Sequence, residues 1–427
     1  MYPDANLHEQ LRFRQLRDLR QMLTLVMREN RFYQSKFREA GCLSLPVTIE
    51  DFLEKFPFTR KTELVADQIA HPPYGTNLTF PINSYTRFCQ TSATTGVPLR
   101  WLDTPESWAW MLNSWDTIYR NAAISEKDVV FCAFSFGPFL GFWTAFEAAA
   151  RMGCLTIPGG GMSSLARLQT ILANNVTVLC CTPTYAIRLG EIAAANTINL
   201  AESAVRCIVV AGEPGGSIPA VYQRIETVWP GARVIDHHGM TEIGPVSYED
   251  PDMRGNLRII GSGFISEIIE VDGEKAVPSG ETGELVLTNL GRWGSPLIRY
   301  RTGDLVRQLM IEDDKNPDIC LPGGILGRVD DMVTIRGVNI YPGAVEEVMR
   351  TFDEITEYRV NIRPVRSMEE LQVEVEIDPS VADAEKICSE IAAALRAAFA
   401  LRIPVERVET GSLPRFEMKA RRWVRHS

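Results

Sequence analysis

The sequence predicts an α/β protein: a large N-terminal domain of parallel sheets flanked by helices, carrying a small antiparallel β subdomain, followed by a small α+β C-terminal domain. Three observations carry this. From about residue 80 to 245, short β-rich runs alternate with longer helical ones, the pattern of βαβ units. From Gly255 the texture changes to short strands separated by Gly-rich turns. Beyond Gly327 a third texture begins, with helices and strands mixed over about 100 residues. The 427 residues leave room for about two or three domains at roughly 150 residues each. The expected division is 1–327 and 328–427, with 255–327 as the β-rich part.

In chain order, residues 7–40 carry Leu11, Leu16, Leu19, Leu23, Val26 and Met27 at helical spacing among many charges, an amphipathic surface helix or pair. The expected parallel strands are 128–136, 154–157, 176–181, 205–210 and 232–235. The expected helices are 107–121, 139–152, 165–174, 186–195 and 220–229. The run from Phe131 to Ala150 has Glu147 as its single charge and imitates a membrane span. Gly137, Pro138 and Gly141 interrupt it, so strand–turn–helix is the reading, since a span needs about 20 uninterrupted apolar residues. Strands at 256–260, 267–271, 283–290 and 304–308 read as antiparallel. The C-terminal part reads helix 342–352, strands 358–364 and 372–377, helix 383–399.

Hydrophobic residues make up 45% and charged residues 23%, a globular balance. The formal net charge of -10 argues against gripping nucleic acid or anionic membrane, which demand surplus Lys and Arg. Nine cysteines with no C-x-x-C pair read as structural thiols in a reducing, cytoplasmic setting. The charged N-terminus lacks the apolar core of a signal peptide.

Five short motifs carry chemistry. Thr91-Ser92-Ala93-Thr94-Thr95-Gly96-Val97-Pro98 is a hydroxyl-rich turn of the kind that cradles phosphate, or an ordinary Ser/Thr loop. Asp236-His237-His238-Gly239-Met240-Thr241-Glu242 follows a strand and ends in a carboxylate suited to Mg²⁺ beside phosphates; adjacent histidines without further ligands do not make a zinc site. Tyr300-Arg301-Thr302-Gly303-Asp304 places an Asp after a Gly turn, fit for ribose hydroxyls or for capping its own loop. Gly327-Arg328-Val329-Asp330-Asp331 sits at the texture boundary and leads to Arg336-Gly337. Leu413-Pro414-Arg415-Phe416-Glu417-Met418-Lys419-Ala420 lies near the C-terminus, where a solvated basic tail is the plainer reading.

In this order and spacing, from about residue 50 to 420, the motifs resemble the adenylate-forming superfamily of acyl-CoA synthetases, adenylation domains and luciferases, and within it the phenylacetate–CoA ligase branch. The resemblance implies an AMP-forming acid–thiol ligase using ATP, Mg²⁺ and CoA. It implies that Thr91, Ser92, Thr94, Thr95 and Gly96 wrap the β- and γ-phosphates. Ala211, Gly212, Glu213 and Pro214 would border adenine and acyl pocket, together with Asp236 to Met240. Thr241 would touch the α-phosphate, Glu242 hold Mg²⁺, Asp304 bind ribose, and Arg328 lie near ribose and phosphate. Lys419 would reach the α-phosphate, Asp330 would be the hinge of a mobile C-terminal domain, and Gly337 would line the thiol tunnel. Phe136, Phe139, Gly160, Gly161, Ala211, His237 and Met240 would form the acyl pocket.

Three departures from the family pattern stand out. Ala93 replaces a Gly and Val97 replaces a Lys in the phosphate loop, with Arg100 the nearby candidate cation. His238 stands where Tyr is usual. Residues 243–319 contain neither Cys nor His, so no zinc is expected. The expected substrate is a small acid, aryl or arylacetic first, a short branched or hydroxylated aliphatic acid next. The thiol acceptor is CoA or a carrier protein's pantetheine arm. A nucleotide-binding protein with a degenerate loop is the non-enzymatic alternative, and a monomer or homodimer is expected.

Overall fold

The structure is a computed structural model that describes residues 6–91, 98–309, 311, 315–335, 338–365, 368–416 and 420–426. These fall into two compact units. The first joins Met1–Gly160 to His237–Gly324, and the second joins Gly161–Asp236 to Ile325–Ser427. The sequence therefore reads its first 327 residues as one domain, whereas contacts group Gly161–Asp236 with the C-terminal section.

In the first unit, the helix Leu7–Glu29 opens on a capping box. The Asn6 side chain accepts from Glu9 N, and Glu9 accepts from Asn6 N, satisfying two donors that a helix start leaves open. The inner stripe, Leu19, Met22, Leu23 and Val26, is fully buried. It packs with Ile265, Leu290 and Ile298 of the antiparallel region, worth about 1.5–3 kcal/mol per buried side chain. Gln15 fastens the same helix by donating to the carbonyls of Gly261 and Phe264.

The strands Val129–Cys132 and Leu155–Pro158 pair in parallel, with the helix Trp143–Arg151 between them in sequence. The expected strand to Phe136 stops at Cys132 and the expected helix from Phe139 begins at Trp143. Phe136 and Gly141 adopt positive φ, 53° and 41°, which neither a strand nor a right-handed helix accommodates. The β-rich part is the antiparallel meander Phe264–Ile269, Thr282–Asn289, Tyr300–Arg307, with a second sheet of Ser247–Glu249, Asn256–Ile259 and Cys320–Pro322.

In the second unit, Val178–Cys181, Cys207–Val210 and Arg233–Asp236 form parallel neighbours. The first two strands are buried at every position, as sheets covered on both faces require. The helices Pro183–Ala195 and Pro219–Val228 both start with Pro at the first turn, where its missing N–H costs nothing. The C-terminal section holds a four-stranded sheet ordered Val405–Arg407, Met368–Ile377, Ile355–Val365, Trp423–Arg425, with the helix Ala384–Phe399 contributing Ile391 and Leu395 to a core shared with Val360 and Val375. The two outer strands, three residues each, are too short to show a period in the sequence. All nine cysteines are buried thiols. Among the described residues no helix is long and apolar enough to cross a membrane.

Candidate active site

The site of the first unit is built around a hairpin. Gly239–Met240 pairs antiparallel with Gly244–Pro245, which leaves Thr241, Glu242 and Ile243 at the tip. Gly239 is closely packed: a Cβ there would stand 3.0 Å from the Gly244 carbonyl oxygen and 3.1 Å from His237 Nε2. The tip is held by Arg292, whose Nη1 donates to the carbonyls of Thr241 and Glu242 at 2.8 and 2.7 Å. Arg292 is itself locked to Asp103 by two bonds, Nε–Oδ1 at 2.6 Å and Nη2–Oδ2 at 2.7 Å. Both side chains are 0% exposed. A bidentate fork of this kind fixes orientation as well as charge.

The Glu242 carboxylate is buried, and Lys61 Nζ donates to its Oε1 at 3.0 Å. Lys61 is the first residue of the helix Lys61–Ala70. The helix dipole disfavours a cation at that end, so its place there is answered by the carboxylate. A single buried carboxylate suits Mg²⁺, which takes one or two carboxylates plus phosphate oxygens and water. Among the described residues no cluster of three or more His, Cys, Asp or Glu is placed to cage a metal, so the remaining ligands would come with a nucleotide.

Asp304, on the strand Tyr300–Arg307, is 3% exposed. Its Oδ2 lies 3.0 Å from His238 Nε2, and its backbone N–H donates to Thr302 Oγ1. The sequence assigns these two residues to ribose and adenine separately; the structure joins them as a pair. Nε2 faces the carboxylate as donor, which leaves Nδ1 on the other side of the ring. That Nδ1 is buried with no hydrogen-bond partner among the described residues, a polar atom a bound group would satisfy.

His237 is buried, donates from Nδ1 to the Ser247 carbonyl at 2.7 Å, and lies 4.5 Å from the Trp115 ring. Burial pushes its pKa down to about 3, so the ring is neutral. Ring contacts then run from Trp115 to Phe142, from Phe142 to Phe134, and from Phe134 to Phe136 at 4.0 Å. Phe139 joins at Phe134, and a Cβ on Gly160 would meet the Phe136 ring at 3.1 Å. Four expected pocket residues, Phe136, Phe139, Gly160 and His237, thus share one aromatic wall, to which Trp115, Phe134 and Phe142 are additions.

In the second unit the expected nucleotide loop has Gly212 at φ 95°, but two of its acidic neighbours face protein. Asp236 accepts from Ser217 Oγ and lies so close under the loop that a Cβ on Gly216 would stand 2.3 Å from its Oδ1. Glu213 Oε1 accepts from Thr184 N and Oε2 from Ala420 N, both at 2.8 Å. Both carboxylates support the segments around them. Asp330 is 82% exposed, with Oδ2 3.8 Å from Arg328 Nη2.

Thr91 sits at the neck of the phosphate loop, donating from N to the Leu99 carbonyl and accepting from Leu99 N on Oγ1. Ser92, Thr94, Thr95, Gly96, Gly337 and Lys419 lie outside the described residues. Arg100, the expected substitute for the missing loop lysine, donates instead to the Pro73 carbonyl at 2.9 Å. The cation beside Glu242 is Lys61. Sequence reasoning missed Lys61, Arg292 and Asp103. For Lys61 the available sign was a cation at a helix start; for the buried pair, 189 residues apart, no local pattern exists.

Comparison with known proteins places the chain in a family. Residues 65–291 match the AMP-binding enzyme family and residues 337–426 match the AMP-binding enzyme C-terminal domain. A phenylacetate-coenzyme A ligase of Pseudomonas putida is 30% identical over 380 residues, covering 86% of this chain and 82% of that protein. The crystal structure of a 2-hydroxyisobutyryl-CoA ligase in the postadenylation state superposes with TM-score 0.92 at 28% identity, covering 100% of this chain and 94% of that one. The same ligase with its acyl-AMP and CoA in the thioesterification state gives TM-score 0.73 at 30% identity, covering 98% and 90%. The chain belongs to the AMP-binding enzyme family, as an adenylate-forming ligase of the phenylacetate-CoA ligase-like kind.

Proposed function

We propose that this enzyme activates a small carboxylic acid with ATP and passes the acyl group to the thiol of CoA. The observation that carries the reading is the hairpin tip: Thr241 and Glu242 pinned by a fully buried Arg292–Asp103 pair, with an ammonium against the Glu242 carboxylate. In the first half-reaction a substrate carboxylate oxygen bonds to the α-phosphorus, and the bond to pyrophosphate breaks. Two anions approach, so the barrier is largely electrostatic. Lys61 opposes charge gathering on the departing phosphates, standing in for the lysine that Val97 displaces, and Thr241 orients the α-phosphate. Glu242 would hold Mg²⁺, which when bound neutralises phosphate oxygens as a Lewis acid. In the second half-reaction the sulfur bonds to the acyl carbon, the bond to AMP breaks, and the thiol proton leaves.

Within the nucleotide site, His238 and Asp304 act as a unit. The carboxylate fixes the ring, whose Nδ1 faces the nucleoside, and Asp304 serves the ribose. Ala211 and Gly212 approach the base with backbone, and Arg328 serves ribose and phosphate. Lys419 completes the charge set on the α-phosphate in adenylation. For the thiol to enter, residues 328–427 turn about Asp330, whose side chain is open to solvent, and the segment at Gly337 lines the thiol path.

The aromatic wall favours a flat ring beside the reacting carboxylate, which supports an aryl or arylacetic acid. A second reading, a short hydroxylated acid, is favoured by the TM-score of 0.92 with a 2-hydroxyisobutyryl-CoA ligase and by the neutral His237 in that wall. The test is pyrophosphate release from ATP with a panel of acids, followed by thioester formation with free CoA. Release without transfer to free CoA would point to a carrier-protein acceptor. No release with any acid would leave the degenerate nucleotide-binding alternative.

A further inference from the structure

Glu213 lies in the loop expected to border the nucleotide, yet its carboxylate is spent on two backbone N–H groups. Oε1 takes the N–H of Thr184 and Oε2 that of Ala420, each at 2.8 Å. Thr184 is the second residue of the 13-residue helix Pro183–Ala195, whose cap, Thr182, uses its hydroxyl on Tyr185 N. The helix start thus holds one carboxylate oxygen with an otherwise open donor and a favourable dipole. The second oxygen is left fixed in direction. It meets Ala420, the residue directly after Lys419.

Among the described residues the C-terminal section also touches Gly161–Asp236 through side chains. Arg224 Nη1 meets Asp353 Oδ1 at 2.5 Å, with Asp353 81% exposed, and Arg422 Nη1 stands 3.5 Å from Thr184 Oγ1. An exposed ion pair is worth little. The Glu213–Ala420 bond is charge-assisted, and the same carboxylate is anchored on a helix start through Thr184 N.

We propose that Glu213 is a positioning residue, a latch that holds the chain at Ala420, next in sequence to Lys419, during adenylation and must let go before the thioester step. This rests on the reading of two half-reactions with a turning C-terminal domain. The latch acts on a backbone N–H, so no side chain at residue 420 is needed for it. Its release returns a carboxylate to water and frees residues 420–426 to move with their own sheet, which they join through Trp423–Arg425. The bond is made in one state and absent in the other, so its whole strength appears as a preference for adenylation.

Glu213→Gln is the direct test. The amide keeps the shape but turns a donor toward either Thr184 N or Ala420 N. Ala420→Pro removes the same bond from the other side and leaves Glu213 intact. The two half-reactions are read separately: acid-dependent pyrophosphate release, and conversion of supplied acyl-AMP with CoA. Both variants are expected to lower the ratio of the first rate to the second by about 10- to 100-fold, the range of a hydrogen bond to a charged group. An unchanged ratio, or equal loss of both rates, overturns the latch. If the unmutated enzyme releases no pyrophosphate with any acid, it is the ligase reading that fails, a result distinct from an unmutated enzyme that works and a Glu213→Gln variant with the same ratio.

Discussion

The hairpin at Thr241–Glu242 and the turn at Arg328–Asp330 are both held by an arginine near an aspartate, and they differ in almost every physical respect. Arg292 and Asp103 are fully buried, joined by two bonds, and spend a third nitrogen on two carbonyls of the hairpin. Arg328 and Asp330 stand 3.8 Å apart with Asp330 82% exposed. A desolvated, bidentate pair cannot be broken cheaply; a solvated one contributes next to nothing. The molecule makes permanent the segment that presents charge to the reacting phosphates. The segment where the C-terminal domain is proposed to turn carries an ion pair whose aspartate is open to solvent.

The largest effect should come from breaking the permanent pair. Arg292→Ala leaves Asp103 buried and unpaired, and the expected loss is about 3–5 kcal/mol of stability, read from denaturant unfolding, together with loss of pyrophosphate release. If the variant unfolds like the unmutated chain, the hairpin is not held as described. Next comes the tip itself: Glu242→Gln should lower the rate of pyrophosphate release on the order of 10²–10³-fold at saturating ATP. Lys61→Met should cost about tenfold less than that and raise the KM for ATP. An effect at Arg100 larger than at Lys61 would reverse the assignment of the cation.

At the solvated pair, Asp330→Pro should leave pyrophosphate release within about threefold and reduce thioester formation at least about tenfold, since a turning peptide would be stiffened. Full thioester formation in that variant would remove Asp330 from the hinge. These two opposite outcomes, at pairs of the same residue types, are the sharpest use of the comparison.

The units should also differ in how acid weakens them. His237, buried and held near pKa 3, is neutral when folded and takes a proton near its ordinary value of 6.5 when unfolded. The unfolded state therefore binds more protons between about pH 6.5 and 3, and the first unit loses stability across that window as pH falls, by about 1.4 kcal/mol per pH unit at most. In the second unit, burial alone would raise Glu346, but Arg422 and Arg350, with the Tyr358 hydroxyl donating, bring it down to about 2. Its contribution is complete above pH 4.5 and is lost from there down to about 2. Hydrogen exchange followed residue by residue against pH should show protection in the first unit declining earlier. His237→Gln should flatten that early decline, and an early decline that survives the substitution would disprove its source.

Much of this was legible because it is local. The apolar run 176–181 reads as a covered strand and is found as Val178–Cys181, and the helix expected over 186–195 is found as Pro183–Ala195. The order of the motifs placed Glu242 at a turn and Asp304 on a β-rich segment. What was not legible lies between distant segments. Arg292 finds Asp103 across 189 residues, Lys61 finds Glu242 across 181, and His238 finds Asp304 across 66. Glu213 and Asp236 read as part of the nucleotide site because of the motifs they stand in. Only three-dimensional proximity shows that backbone donors and Ser217 already use them.

The central claim is that the pinned Glu242 carboxylate serves the joining of a carboxylic acid to AMP. The most direct measurement is pyrophosphate release from ATP across a panel of aryl, arylacetic and short hydroxylated acids, with Glu242→Gln alongside. The account predicts release that requires one class of acid and falls on the order of 10²–10³-fold in the variant. Release that ignores the acid, or that proceeds undiminished without the Glu242 carboxylate, would contradict it.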